Sequence, residues 1–310
     1  RPEAIYLREQ LTVLLTTSPV ALHPSTCLVD EVVGSFEHAP GLDACRLVVV
    51  CDGYTLTGAG AEASKYRKGL VDEDSAARYC EYIDRLRERS VALGEENFAV
   101  LALPTRHGFG HAVRRGLELV GTPFVCVVQH DRSFLRPCPM AEVVRAMQAH
   151  PWCKYVGLPT RKTVDHKQYV LSKYGLRISE QPLGDSGMAV LPLLQWYDST
   201  HVMETQHYRD FVFAHKPNRK DLCWRVAAGG FIEDQMAQLM LRDVRGPQGL
   251  AAHAQYGTFL LVDPTPSGTL PMVGHLDGRD QRCGAKFKYA QADAPEAADL
   301  AGQGPDVPAP

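Results

Sequence analysis

Residues 108–131 read GFGHAVRRGLELVGTPFVCVVQHD, and this stretch decides the fold. Glycines at 108 and 110 open a turn. Val113, Leu117 and Val120 then recur at helical spacing, which predicts a helix over about 110–120. Gly121-Thr122-Pro123 interrupts it, and the apolar run Phe124 to Val128 follows as a strand. That strand delivers a polar triplet, Gln129-His130-Asp131, to the rim of a sheet.

The same alternation extends outward in both directions. Upstream, strands are expected at 11–17, at 46–51 ending in Cys51-Asp52-Gly53, and at 98–103. Between them lie one helix carrying Val29, Val32, Val33 and Phe36, and a long one over about 73–92 with Tyr79, Ile83 and Leu86 on one face. Downstream come a helix over 140–149 and a strand at 154–158. Strands alternating with amphipathic helices argue for an α/β fold with a mainly parallel sheet. From 160 to 228 the regularity weakens, apart from a short apolar run at 188–194. A helix over about 232–241 and a strand at 258–262 restore it. Ligands on such sheets sit at the carboxyl ends of the strands. Three polar clusters fall there: Thr16-Thr17-Ser18-Pro19, Asp52-Gly53 and Gln129-His130-Asp131.

Bulk composition narrows the partners. A chain of 310 residues with 45% hydrophobic and 22% charged residues is ordinary for a globular protein. A net charge of -3 gives no basic field to draw nucleic acid, so no nucleic-acid partner is expected. No apolar run reaches the roughly 18 residues of a membrane span, and none is expected in this chain. Nine cysteines without C-x-x-C spacing read as reduced core thiols rather than a zinc site.

Read together, three stretches resemble the GT-A glycosyltransferases, closest to the inverting family 2. They are LTVLLTTSP at 11–19, VVVCDG at 48–53 and the 108–131 stretch. In that family the last pattern is a glycine-rich turn, a helix bearing R-N-x-G and a strand ending in D-x-D. Here the helix has Arg114-Arg115-Gly116, and Gln129 stands where the first acid of D-x-D would be. The resemblance covers residues 8–160 well and the remainder loosely. It implies a GT-A type, Rossmann-like fold: a mostly parallel sheet flanked by helices, with an irregular second half. It also implies one domain over 5–290, with a nucleotide-sugar-binding half at 5–160 and an acceptor-binding half at 161–290. The Ala-, Asp-, Gly- and Pro-rich tail at 291–310 is expected to be disordered.

The resemblance assigns roles residue by residue. Thr16, Thr17 and Pro19 would line the base and ribose, and Asp52 would accept a hydrogen bond from one of them. Gln129 and His130 would also face the donor, a UDP- or GDP-sugar. Asp131 would hold Mn²⁺ or Mg²⁺; on its residues alone it could equally cap a turn or pair with Arg132. Arg115 is a phosphate candidate within the basic patch Arg106, His107, Arg114 and Arg115, which otherwise reads as a solvated helix face. In Gly229-Gly230-Phe231-Ile232-Glu233-Asp234 the acidic pair begins a helix, and the family's general base sits there: Asp234 first, Glu233 second. The alternative is an ordinary first-turn acid. His275, in Val273-Gly274-His275, would bring a second metal ligand; the following Asp277-Gly278 also reads as a plain turn. Arg279, Arg282, Lys286 and Lys288 could close over a diphosphate. Trp196, Tyr197 and Asp198 are acceptor-site candidates, Trp196 by stacking on a sugar, although a Trp in this apolar stretch also suits a core.

The expected function is transfer of a sugar from a nucleoside diphosphate to a hydroxyl acceptor, a glycan or another alcohol, with inversion and with a metal. Three rivals stand beside it: a catalytically degenerate nucleotide-sugar or glycan-binding protein, a sugar-phosphate nucleotidyltransferase, and a scaffold. The second of these would place a basic, glycine-rich loop where Thr-Thr-Ser-Pro stands. The compartment stays open between cytoplasm and, if an anchor preceded this chain, Golgi lumen.

Overall fold

The computed structural model describes residues 2–57, 64–184, 187–216, 219–223, 225–262 and 270–276. The tail at 291–310 and the basic residues Arg279, Arg282, Lys286 and Lys288 lie outside them. The strands are β1 Leu11–Thr17, β2 Arg46–Cys51, β3 Thr55–Leu56, β4 Leu70–Val71, β5 Phe98–Ala102, β6 Phe124–Gln129, β7 Tyr155–Gly157, β8 Gln181–Pro182, β9 Ala189–Pro192, β10 His201–Glu204, β11 His215–Lys216, β12 Arg219–Cys223 and β13 Thr258–Val262. The α-helices are α1 Pro2–Gln10, α2 Cys27–Gly34, α3 Glu73–Leu93, α4 Phe109–Leu117, α5 Met140–Ala149, α6 His166–Tyr174, the single turn α7 Thr205–His207, and α8 Ile232–Val244.

Nine strands form one sheet in the order β5-β2-β1-β6-β10-β7-β13-β9-β8. β5, β2, β1, β6, β7, β13 and β8 share a direction, while β10 and β9 run against them. The expected helix-flanked, mainly parallel α/β fold is therefore the fold observed. Both faces are covered, and the strand sequences explain why. Leu11, Val13 and Leu15 of β1 enter one core with Leu47, Val49, Cys126 and Val128. Leu14 points the other way, into a second core with Val48, Val50, Val125 and Val127. Side chains alternate across a strand, so an unbroken apolar run must bury both faces. Helices α1, α2, α3 and α5 close the first core, and α4, α6 and α8 close the second.

Register aligns the strand ends. Thr16 stands opposite Gln129 on β6, and Thr17 opposite Cys51 on β2. Three polar strand ends thus form one continuous floor.

The second half contains what the sequence pattern concealed. β10 lies antiparallel between β6 and β7. No described helix is long and apolar enough to cross a membrane. Cys27, Cys45, Cys51, Cys80, Cys126, Cys138 and Cys153 are free thiols. Burial pushes Cys45, Cys51, Cys138 and Cys153 up to about 12, which keeps them inert core residues.

Candidate functional site

Two adjoining cavities open over the carboxyl ends of the central strands. The first has a volume of about 470 Å³, the second about 900 Å³, and Gln129 and Phe231 line both.

The floor of the first cavity is held by hydrogen bonds that continue the sheet past its last residues. The Asp52 N–H donates to Thr17 O at 2.8 Å, and the His130 N–H donates to Thr16 O at 3.0 Å. The Thr17 hydroxyl is 2.6 Å from His130 Nδ1 and accepts from the Tyr82 hydroxyl at 3.1 Å. Tyr82 reaches it because Asp72 caps α3, accepting from the Ser75 N–H at 2.7 Å, and the helix lays Tyr79 and Tyr82 against the sheet. Burial lowers the His130 pKa, so the ring stays neutral beside this hydroxyl pair. Thr16, Thr17, Pro19, Gln129, His130 and Asp131 all line the cavity.

Asp52 lines it too, but its carboxylate is already engaged. Oδ1 accepts from the N–H groups of Gly53 at 3.0 Å and His107 at 2.8 Å, and Oδ2 from that of Gly108 at 2.9 Å. Burial pushes its carboxyl up, and these three donors pull it back. Asp52, expected to meet base or ribose, thus lines the cavity while its carboxylate clamps the loop around residues 105–108 over the strand end. That loop lies very close to its neighbours. A side chain at Gly53 would meet the Thr105 carbonyl carbon at 2.3 Å, and one at Gly108 the backbone of Gly229 at 2.7 Å. Gly108 also has φ of +77°, which favours glycine. Arg106, from the same loop, lines the first cavity. Arg115 does not. It is exposed on α4 and pairs with Glu118 at 2.7 Å, so its expected phosphate contact is not supported.

Asp131 and His275 meet at the junction of the two cavities, although 144 residues separate them. The segment 270–276 is stitched to the β6 exit: the Leu135 N–H donates to Met272 O, the Gly274 N–H to Ser133 O and the Leu276 N–H to Asp131 O. Val273 also bridges Phe134 and Thr160. This places His275 Nε2 3.0 Å from Asp131 Oδ2. Oδ1 of Asp131 is buried without a hydrogen-bond partner. Burial pushes the Asp131 carboxyl up, but the His275 bond and nearby positive charge outweigh it and hold it below the usual carboxylate range. An orphaned carboxylate oxygen beside an imidazole fits a divalent cation, and the nitrogen donor suits Mn²⁺ better than Mg²⁺. Among the described residues no group of three or more His, Cys, Asp or Glu gathers for a metal. A cation held here would have to take further oxygens from a ligand or water.

The second cavity holds Glu233, at the start of α8, and Asp198. Asp198 is buried, with Oδ1 accepting from Trp196 Nε1 at 3.1 Å and Oδ2 from the Glu233 N–H at 3.1 Å. Its own N–H donates to Glu233 Oε2 at 3.3 Å, and Gln129 Nε2 donates to its carbonyl at 2.6 Å. Asp198 thus caps α8 across the chain and fixes Glu233 beside Gln129. Burial first, and the Glu233 charge after it, push the Asp198 carboxyl well above the ordinary range. Both carboxylate oxygens, expected to meet an acceptor, are taken up by these bonds, while Asp198 still lines the cavity. Trp196 is 1% exposed, packed on Tyr155 at 4.8 Å between ring centroids. A ring inside the core offers no face to a sugar, so that expectation is corrected; Tyr197 lines the cavity instead. Asp234, expected first of the acidic pair, is exposed and lines neither cavity.

Sequence reasoning passed over Phe231, which is 51% exposed, stacks on Phe109 and lines both cavities. It also passed over Arg161 and Lys162 in the second cavity. Their position just past the strand at Tyr155–Gly157 was the available signal.

No family model matches the sequence, and no curated protein matches it. Solved structures with a similar fold include three glycosyltransferases, the class that the sequence resembles. A mannosyltransferase from Pyrobaculum calidifontis, in complex with GDP-Man and Mn²⁺, is 12% identical over 65% of this chain and 46% of its own, with a TM-score of 0.36. Residues 1–349 of TarS from S. aureus, in complex with UDP-GlcNAc, are 14% identical over 83% of this chain and 57% of that one, with a TM-score of 0.43. The glucosyl-3-phosphoglycerate synthase from Mycobacterium tuberculosis, with Mn²⁺, UDP and glucosyl-3-phosphoglycerate, is 15% identical over 66% and 60%, with a TM-score of 0.32. The matched region spans less than two thirds of each of these chains.

Proposed function

We propose that this chain transfers a sugar from a UDP- or GDP-sugar to a hydroxyl acceptor, with inversion at the anomeric carbon. The observation that carries this reading is the Asp131–His275 pair, with its orphaned oxygen, at the junction of two cavities that share Gln129 and Phe231. A donor needs a nucleotide seat, a place for its diphosphate and a route for the acceptor to the opposite side of the sugar carbon. In this reading the base and ribose lie against Thr16, Thr17 and Pro19. The diphosphate lies toward Asp131, His275 and Arg106, and the sugar between Gln129 and Phe231. His130, neutral and fixed by Thr17, offers its second ring nitrogen to the donor. A bound Mn²⁺ or Mg²⁺ would offset the charge that develops on the leaving diphosphate.

The acceptor enters through the second cavity. Its oxygen forms a bond to the anomeric carbon as the bond from that carbon to the diphosphate oxygen breaks. Glu233 takes the acceptor proton, and the electron pair departs on the diphosphate. Glu233 is preferred to Asp234 because it lines the cavity and is held by Asp198.

The test is release of UDP or GDP from a panel of their sugars, with Mn²⁺ or with EDTA, using water and simple alcohols as acceptors. Metal-dependent release that falls by about a hundredfold or more in Glu233→Gln supports the reading. Tight binding of a nucleotide-sugar without any turnover would favour the binding-protein alternative.

A further inference from the structure

The second cavity carries a charge pattern that transfer to a neutral alcohol does not require. Arg132, from the β6 exit, and Arg161 and Lys162, from the β7 exit, line it together. Arg132 Nε is buried with no hydrogen-bond partner, and its nearest acid oxygen, Asp131 Oδ1, is 4.0 Å away. A buried guanidinium N–H in that state calls for an acceptor that the described residues do not supply. Arg161 and Lys162 sit on a turn that is already rigid. The Thr160 N–H donates to Thr163 Oγ1 at 2.8 Å, and the Thr163 and Val164 N–H groups donate back to Thr160 O. Thr160 also bridges Val273, two residues before His275. The three cations are therefore tied to the segment that completes the Asp131–His275 pair. Both acids that line this cavity are committed elsewhere. Asp198 spends its two carboxylate oxygens on Trp196 and the α8 N-terminus, and Glu233 is the group that must receive a proton.

Resting on the transferase reading, we propose that the acceptor bears a phosphate group, seated on Arg132, Arg161 and Lys162, with its hydroxyl directed to Glu233. Phosphate is favoured over a carboxylate because it offers more oxygens and up to two charges to three cations, and arginine matches it with paired N–H donors. The phosphate could belong to a soluble ester or to a lipid headgroup, since the shared chemistry is the same.

The experiment is calorimetric titration of the full chain with glycerol 3-phosphate, glycerate and glycerol, run with and without saturating UDP or GDP and Mn²⁺. Flotation with vesicles of phosphatidylcholine, with or without phosphatidic acid, forms a parallel arm. The double variant Arg161→Gln, Lys162→Gln is compared throughout, because both side chains are exposed and their loss spares the core. The expected result is binding of glycerol 3-phosphate, no binding of glycerol, and about a tenfold or greater weakening in the double variant. Phosphatidic-acid-dependent flotation lost in the double variant would assign the lipid source, and its absence alongside glycerol 3-phosphate binding the soluble one. The proposal is overturned if glycerol 3-phosphate binds no better than glycerol or glycerate, or if the double variant binds it unchanged. Nucleotide binding is read separately: its failure would sink the transferase reading, whereas unchanged UDP or GDP binding in the double variant confines the defect to the phosphate seat.

Discussion

Lowering the pH from 7 to 5 should draw a large stability cost from three buried histidines. His23 Nε2 lies 3.2 Å from Ser18 O, His166 Nε2 3.2 Å from Pro192 O, and His201 Nδ1 2.6 Å from Ser199 O. In each case one ring N–H donates to a carbonyl, and the other nitrogen is buried without a partner. A second proton would create a buried cation with an unmet donor. Burial accordingly lowers the pKa of His23 to about 3 and those of His166 and His201 to about 4. The unfolded chain protonates near pH 6.5, so below that pH it binds protons that the native state refuses, and stability falls as pH falls. Because pH 5 lies about 1.5 units below the unfolded pKa, each histidine loses ~2 kcal/mol there, ~6 kcal/mol together. That is comparable with the whole stability of a domain, about 5–15 kcal/mol. Urea unfolding followed by circular dichroism at pH 7, 6 and 5 measures it, provided the slope with denaturant stays constant. His166→Gln, which keeps the donor to Pro192, should remove about one third of the loss. A pH dependence between 7 and 5 that is the same in His166→Gln as in the wild type would refute the reasoning.

Other predictions follow from close contacts and from the acidic pair. Gly108→Ala should cost about 2–4 kcal/mol, because it combines positive φ with a clash against the Gly229 backbone. Gly121→Ala, with nothing within 4 Å, should stay within about 0.5 kcal/mol in the same denaturation assay. Asp52→Asn turns an amide donor toward backbone N–H groups that now find a carboxylate, and should cost about 2–3 kcal/mol while weakening nucleotide binding in calorimetry. In transfer assays Glu233→Gln should lose turnover with donor affinity unchanged, and Asp234→Asn should keep both; the opposite pattern would return the base to Asp234.

The first half of the fold was legible because its signals are local. The strands Leu11–Thr17 and Arg46–Cys51 and the helix Met140–Ala149 fall where apolar runs and helical spacing predict them. The floor of the first cavity was legible for the same reason, since a polar residue directly after a buried strand has to emerge at the sheet rim. The second half was harder. The strand His201–Glu204 has only four residues, and its pairing with two neighbours is what reveals it. The helix His166–Tyr174 buries only His166 and Val170, too few for a periodic stripe. Trp196 was misjudged because burial, which sequence does not report, decides whether an aromatic ring is available to a ligand. Glu233 and Asp234 differ by one position on a helix, about 100° around its axis. Only the direction in which the helix docks separates them. The Asp131–His275 contact depends on the return of residues 270–276 along the β6 exit, a long-range event that only the family resemblance anticipated.

The most direct test of the central claim is calorimetric binding of UDP and GDP to the wild-type chain, with Mn²⁺ or with EDTA, alongside Asp131→Ala and His275→Ala. The account predicts that one nucleotide binds in a Mn²⁺-dependent manner, that Asp131→Ala abolishes that dependence, and that His275→Ala weakens it by about tenfold. Binding that is equal in EDTA, or untouched by Asp131→Ala, would contradict it.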